Sequence, residues 1–243
     1  MSLVYAHRGA SGYAPENTLE AFKLAMEMGA DGFELDVHLS KDGELIVIHD
    51  EKVDRTTNGS GVVAEMTLEE LKALDASNGI AEYQGVKIPT LGEVYDLVKD
   101  TNHLINVEIK TDQSVYPEIE KKCLELEKEK GMTGRIIYSS FNHYTVKTLK
   151  ALAPDAKVGL LFGSCLYEPW KYAKEIRADY IHPCENSLYL SEDIVLQSVE
   201  NGIGANVWTI NDKELMKECL RQKGNIITNY PDIAVALRKD HTN

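Results

Sequence analysis

Apolar and polar positions along this chain switch regularly between two periods. Short apolar runs rich in Val, Ile and Leu at residues 3–7, 32–38, 104–108, 135–139, 157–162, 180–182, 205–209 and 225–228 read as strands. Between them, apolar residues recur at helical spacing, as in Leu19, Phe22, Ala25 and Met26 after the N-cap signal Asn17 with Glu20. Further helices are expected at residues 117–130, 144–151, 170–176, 192–200, 213–220 and 233–239, and Thr90 with Glu93 caps one that runs to about residue 99. Eight parallel strands, each followed by a helix, predict an α/β fold, a (β/α)8 TIM barrel.

One interval breaks the rhythm. Residues 44–49 also read as a strand, but Ser40-Lys41-Asp42-Gly43 is far too short for a parallel crossover. Asp42-Gly43 is instead a two-residue hairpin signal, which adds an antiparallel strand beside the second barrel strand. Lys41 then faces Glu44, and counting outward sets His49 opposite Asp36, on the Glu34/Asp36 face. Residues from about 51 to 89 fit no strand-helix unit and hold a short helix near residues 67–74. They read as a small insertion over one end of a single domain spanning residues 1–243, too small to bury much core alone.

The composition changes this picture little. At 243 residues, 43% hydrophobic and 27% charged, the chain is ordinary for one globular barrel. Its formal net charge of −13 argues against nucleic acid or an anionic membrane as partner. No apolar run reaches 18 residues, so no membrane insertion is expected. The first residues enter a strand without a basic-then-apolar leader, which favours the cytoplasm. Cys123, Cys165, Cys184 and Cys219 are widely spaced and read as buried or free thiols.

The chemistry gathers at the start. Glu34 and Asp36 are spaced i, i+2 in a strand, so both carboxylates face one way while Phe33, Leu35 and Val37 face the other. By itself such a pair is compatible with a solvated strand face; two buried acids would call for a cation between them. His7-Arg8-Gly9, Pro15-Glu16-Asn17-Thr18, Glu34-Leu35-Asp36-Val37, His49-Asp50, Glu108-Ile109-Lys110, Val207-Trp208-Thr209 and Thr228-Asn229-Tyr230-Pro231-Asp232 follow one another in order. This series, covering nearly the whole chain, resembles the signature of the glycerophosphodiester phosphodiesterase family.

The resemblance implies metal-dependent hydrolysis of a small glycerophosphodiester to glycerol 3-phosphate and an alcohol, with His7 and His49 as the catalytic imidazoles. Glu34, Asp36 and Glu108 would hold one divalent cation; their hard oxygens suit Mg2+ or Ca2+ equally. Arg8 and Lys110 offer donors to the phosphate oxygens, Arg in a fork and Lys as a point charge. For His7 and Arg8 both to face the site, the first strand must end between them. Trp208 is expected at the barrel mouth, against the glycerol carbons. Glu16 and Asn17 are read as structural, Asn17 through its helix cap. His182 is a minor pocket candidate, His38 heads into the hairpin, His103 and His143 are expected to be exposed, and His241 lies in a tail.

Two alternatives share parts of this reading. A phospholipase acting on a lipid phosphodiester should carry exposed apolar loop tips or a basic patch; the sequence discloses neither. A catalytically silent barrel that binds a phosphorylated ligand should lack an imidazole or a carboxylate, and none is missing. The head group, the metal, the roles of the two histidines, the nucleophile and the oligomeric state stay open.

Overall fold

The computed structural model describes residues 2–191 and 193–242. Its strands are β1 (Val4–His7), β2 (Gly32–Leu39), β3 (Leu45–Val47), β4 (Leu104–Ile109), β5 (Ile136–Ser140), β6 (Lys157–Phe162), β7 (Tyr180–Pro183), β8 (Gly204–Val207) and β9 (Asn225–Thr228). Eight of them pair in parallel in the order β1-β9-β8-β7-β6-β5-β4-β2, and β1 pairs β2 to close the barrel. This is the predicted TIM barrel. β3 lies outside the ring, antiparallel to β2.

The helices are α1 (Leu19–Glu27), α2 (Leu68–Ala73), α3 (Leu91–Val98), α4 (Ile119–Glu129), α5 (His143–Leu152), α6 (Pro169–Glu175), α7 (Ser187–Leu190), α8 (Ile194–Glu200), α9 (Lys213–Arg221) and α10 (Pro231–Thr242). Of these, α7 was not anticipated, and the start expected for α8 at Glu192 falls outside the described residues. Thr67 with Glu70 and Thr90 with Glu93 form reciprocal capping boxes at α2 and α3, so local side chains satisfy the first free N–H groups.

Period two explains the core. The odd residues of β2, Phe33, Leu35 and Val37, join one large apolar cluster with Phe22 and Ala25 of α1 and Val94 and Val98 of α3. Phe22 and Phe33 stack with ring centroids 4.6 Å apart, tying α1 to β2. Truncating such a buried ring costs about 3–5 kcal/mol. The even residues Glu34, Asp36 and His38 are also buried, on the opposite face.

The hairpin register departs from the prediction. Pairs are Val37–Val47, His38–Ile46 and Leu39–Leu45, and Ile48 N–H donates to Asp36 O at 3.1 Å, so Ile48, not His49, stands opposite Asp36. The reason is a three-residue loop: Ser40 N–H donates to Glu44 O, and Gly43 N–H to Ser40 O. Gly43 takes φ +85°, the left-handed conformation that closes such loops and that glycine adopts without a steric penalty.

His49 reaches the barrel for a different reason. β1 occupies the edge of β2 as far as Glu34, and β3 occupies the same edge from Leu39 back to Val37. The returning chain therefore runs down toward the end of β1, leaves strand geometry at Ile48, and delivers His49 beside it. Ile46 and Ile48 face the segment after β3, where Val53, Val63, Leu71, Ala76 and Ile88 bury a small cluster with them.

Candidate active site

β1 ends at His7, and Arg8 takes φ +55°, so the backbone reverses its facing there as the sequence required. Gly9 follows at φ +81°; a Cβ would meet the backbone of Ala21 at 2.7 Å, so the third residue of the His7-Arg8-Gly9 run has to be glycine. This turn leaves His7 and Arg8 over the carboxylates of β2.

Glu34, Asp36 and Glu108 each present an oxygen within 4.8 Å of the others, and all three are buried. Glu108 and Asp36 sit side by side because β2 and β4 pair Asp36 with Glu108. Burial, reinforced by Asp36 and Glu108, holds the Glu34 carboxyl well above its ordinary range. Burial and Asp36 raise Glu108 to about 7. Asp36 goes the other way: burial opposes its charge, but Arg8, His49, Lys110 and the Asn17 amide together hold its pKa down.

These residues could hold a divalent cation. The donors are all oxygen, and Asp36 Oδ1 is buried without a hydrogen-bond partner. Lys110 Nζ reaches Glu108 Oε1 at 2.8 Å and stands 3.9 Å from Asp36 Oδ1, while Arg8 Nε lies 3.4 Å from Asp36 Oδ2. With all three carboxylates ionised these two cations would leave one negative charge, and a divalent ion would turn that into a positive site for an anion.

The two imidazoles are held alike. His7 Nδ1–H donates to Asn229 Oδ1 at 2.7 Å, leaving Nε2 3.9 Å from Glu34 Oε2. His49 Nδ1–H donates to Asp50 Oδ1 at 2.6 Å, leaving Nε2 3.5 Å from Lys110 Nζ. His38 secures the second ring from behind: Tyr116 O–H donates to its Nδ1, and its Nε2–H donates to the His49 carbonyl at 3.0 Å. Burial and Arg8 push His7 down to about 4.

A cavity of about 50 Å³ at the centre is lined by His7, Arg8, Glu34, His49, Glu108 and Trp208, with Asn106, Phe141, Leu161 and Ile227. Asp36 and Lys110 complete the cluster through the contacts above. All eight residues expected at the site thus come together. A groove of about 660 Å³ beside α4 and the end of α5 is larger, but the one carboxylate cluster found among the described residues is the one at the barrel centre.

Trp208 is half-buried, its Nε1–H donating to His182 O at 2.8 Å and its ring meeting Phe141 edge-on at 5.5 Å. The Trp208–Thr209 peptide is cis. His182 is fully buried on β7, bonded to the Asn206 amide and absent from the cavity lining. His103 and His143 are half-buried, not exposed; Tyr172 and the Leu161 carbonyl hold His143. Cys123, Cys165, Cys184 and Cys219 are free thiols.

Asn17 corrects the sequence reading. Thr18 caps α1 by accepting from Ala21 N–H, whereas Asn17 is buried at φ +55° with its Nδ2 donating to Asp36 Oδ2 at 2.9 Å. Glu16 is likewise engaged, accepting from Arg8 Nη1 at 2.8 Å. Asn229 and Asp50 lay inside the quoted motifs, but no local pattern marked them as partners of the imidazoles.

The mouth also differs from expectation. Val115, Tyr144, Tyr167, Tyr189 and Leu190 are exposed in the segments that follow β4, β5, β6 and β7. Val115 and Tyr167 are over nine-tenths accessible. Among the described residues, no helix is long and apolar enough to cross a membrane.

Comparison with known proteins places this geometry. Residues 7–233 match the glycerophosphoryl diester phosphodiesterase family. A glycerophosphodiester phosphodiesterase of Caldanaerobacter subterraneus subsp. tengcongensis is 46% identical over 238 residues, 97% of each chain. The solved structure of an Oleispira antarctica phosphodiesterase with the product sn-glycerol-3-phosphate superposes with a TM-score of 0.90 at 30% identity, covering 98% of this chain and 97% of that one. One from Thermotoga maritima gives 0.81 at 31% identity, covering 98% and 99%. With its family match running nearly end to end and the motif residues meeting at one cavity, the chain belongs to the glycerophosphoryl diester phosphodiesterase family of enzymes.

Proposed function

We propose that the protein hydrolyses a small glycerophosphodiester to glycerol 3-phosphate and an alcohol, with Glu34, Asp36 and Glu108 holding one divalent cation and His7 and His49 acting as the acid-base pair. The observation that carries this reading is the matched presentation of the two rings. Each imidazole is tied through Nδ1 to an oxygen acceptor and turns Nε2 toward the same carboxylate-lined cavity. An imidazole fixed in one tautomer, with its other nitrogen turned to the cavity, is positioned to take or give a proton there.

A bound cation would take up charge developing on the phosphoryl oxygens. Arg8 and Lys110, both held charged by neighbouring carboxylates despite burial, orient those oxygens. Trp208 and Phe141 give the glycerol carbons an apolar wall. The attacking group is water or the neighbouring glycerol hydroxyl, the latter through a transient cyclic phosphate. The product held by the Oleispira antarctica relative supports the substrate class.

The test is release of glycerol 3-phosphate from glycerophosphocholine, glycerophosphoethanolamine and glycerophosphoglycerol, each with Mg2+, Ca2+ or chelator. No release from any of them with either metal would sink the reading.

A second reading is favoured by the exposed apolar side chains after β4 to β7, which suit an acyl chain attached to the diester. Turnover of lysophosphatidylcholine at least tenfold above that of glycerophosphocholine would favour a lipid phosphodiester instead.

A further inference from the structure

The His49 ring and the Arg8 guanidinium are joined by a chain of bonds that passes through a residue of the segment after β3. Arg55 Nε donates to Asp50 Oδ2 at 2.7 Å and its Nη2 to Asp50 Oδ1 at 3.0 Å. The same guanidinium donates to Glu16, from Nη1 to Oε2 at 2.8 Å and from Nη2 to Oε1 at 2.9 Å. Asp50 accepts from His49, and Glu16 accepts from Arg8.

We infer that Arg55 is a positioning residue for the active site, fixing the His49 imidazole through Asp50 and the Arg8 guanidinium through Glu16 with a single fork. This deepens the phosphodiesterase reading above and rests on it.

Three features separate the arrangement from an ordinary surface ion pair. Exposed pairs contribute little because two flexible chains must be ordered for one contact. Here one planar group engages two carboxylates in two-point contacts, a geometry that Lys cannot reproduce. Nη2 donates to both acids, so Asp50 and Glu16 are drawn together as like charges that would repel without it. Both acids, moreover, are already committed to groups that line the cavity. Arg55 itself remains 45% exposed in its side chain and touches no cavity atom in this network, so it acts through its partners. Its carboxylates respond to the contact: bonds from Arg55 hold Asp50 well below its usual range, and Glu16 is also lowered, although burial opposes its charge.

Without Arg55, Asp50 is free to rotate away from His49 Nδ1, and the ring loses the acceptor that selects its tautomer. Small misplacements of reacting groups cost up to about 100-fold in rate. Arg55→Ala and Arg55→Lys are compared with wild type by steady-state kinetics on the best diester from the panel, and by nitrogen NMR of protein carrying labelled histidine. Both variants should lower kcat about 10- to 100-fold with KM within about threefold. In both, the His49 signals should move from one Nδ1–H tautomer toward a mixture, while the His182 signals stay put. Added guanidinium at millimolar concentration should restore part of the Arg55→Ala rate. If Arg55→Ala does not fold, Arg55→Lys decides, since it keeps the charge and lacks the fork. The inference is overturned if either variant that folds keeps the wild-type His49 tautomer, or if Arg55→Lys keeps the wild-type kcat. The ring signal needs no turnover: a wild type that cleaves no diester refutes the functional reading, and the tautomer still decides the role of Arg55.

Discussion

Asn229 Oδ1 lies 2.7 Å from His7 Nδ1, a bond that joins the end of β9 to the end of β1 across 222 residues of sequence. Ser11 Oγ stands 3.0 Å from the same oxygen and 2.7 Å from the His7 carbonyl, so its single proton is shared between the two. Asn229→Ala should leave the barrel intact, because the bond sits at the mouth and outside the apolar core. It should lower kcat by about 10- to 100-fold, since the His7 ring loses the acceptor that fixes its free nitrogen. Kinetics together with a melting curve would check this. A variant with unchanged kcat would leave Asn229 without a role in aligning His7.

Asn17 supports Asp36 in the same way, but its backbone complicates the test. At φ +55° a residue with a Cβ is strained, although Asn tolerates the conformation better than most. Asn17→Ala would combine that strain with the lost 2.9 Å bond, whereas Asn17→Gly removes the amide and relieves the backbone. The glycine variant should melt within a few degrees of wild type, yet bind Mg2+ or Ca2+ about 10- to 100-fold more weakly, the usual effect of losing a partner behind a metal ligand. Equal metal affinity by calorimetry would show that the Asn17 amide does not orient Asp36 for metal.

These two residues mark where the sequence ceases to be legible. The alternation of strand and helix periods gave the barrel, because burying one face of each element leaves its period in the chain. The eight residues that meet at the cavity were legible because each lies in a short motif on a strand or just after one. Asn17 and Thr18 are both good caps, and local chemistry does not say which one caps the helix; only the distance to Asp36, nineteen residues on, frees Asn17 for another task. Asp42-Gly43 likewise fits a two- or a three-residue loop, and that single residue shifted the whole hairpin register. His49 nevertheless reached the site, through the end of β3 and not through the register. Asn229 reaches His7 from the loop after β9, while Asp50 and Arg55 reach His49 and Glu16 from the segment after β3; such meetings between loops leave no periodic trace.

The carboxylate cluster makes a prediction about stability as well as activity. A carboxyl whose pKa is raised on folding opposes stability as pH climbs above its ordinary value, because the folded state resists ionisation. Glu34 is in that position, through burial and through Asp36 and Glu108. At pH 7.5, metal-stripped Glu34→Gln should therefore melt higher than metal-stripped wild type, since a neutral amide relieves the repulsion and can still accept from Arg8 N–H. Saturating Mg2+ or Ca2+ should reverse the order by raising the wild-type Tm alone, because ligands that prefer the folded state stabilise it. Chelator should abolish wild-type turnover, and the variant should be inactive throughout. A metal-stripped variant that melts below metal-stripped wild type would contradict the claim that the cluster is strained without its ion.

His182 offers a separate handle on pH, away from the carboxylates. It is fully buried inside the barrel wall, with Asn206 Nδ2 donating to its Nε2 at 3.0 Å and its Nδ1 without a partner. Burial pushes its pKa from 6.5 down to about 3. The sign follows from linkage: as pH falls below 6.5 the unfolded chain takes up the proton and the folded one does not, so stability drops until the folded pKa is reached. Each pH unit in that window costs about 1.4 kcal/mol for such a group, and above pH 6.5 the effect is absent. His182→Gln keeps an acceptor for Asn206 and cannot be protonated. Between pH 7 and pH 5 its unfolding free energy in urea should fall by about 2 kcal/mol less than that of wild type. His7 remains in both proteins with its pKa also lowered, to about 4, so the variant should still lose some stability in acid. If the two proteins lost stability equally over that range, the buried imidazole would have to be charged in the folded barrel, and a partner for its second nitrogen would have to exist.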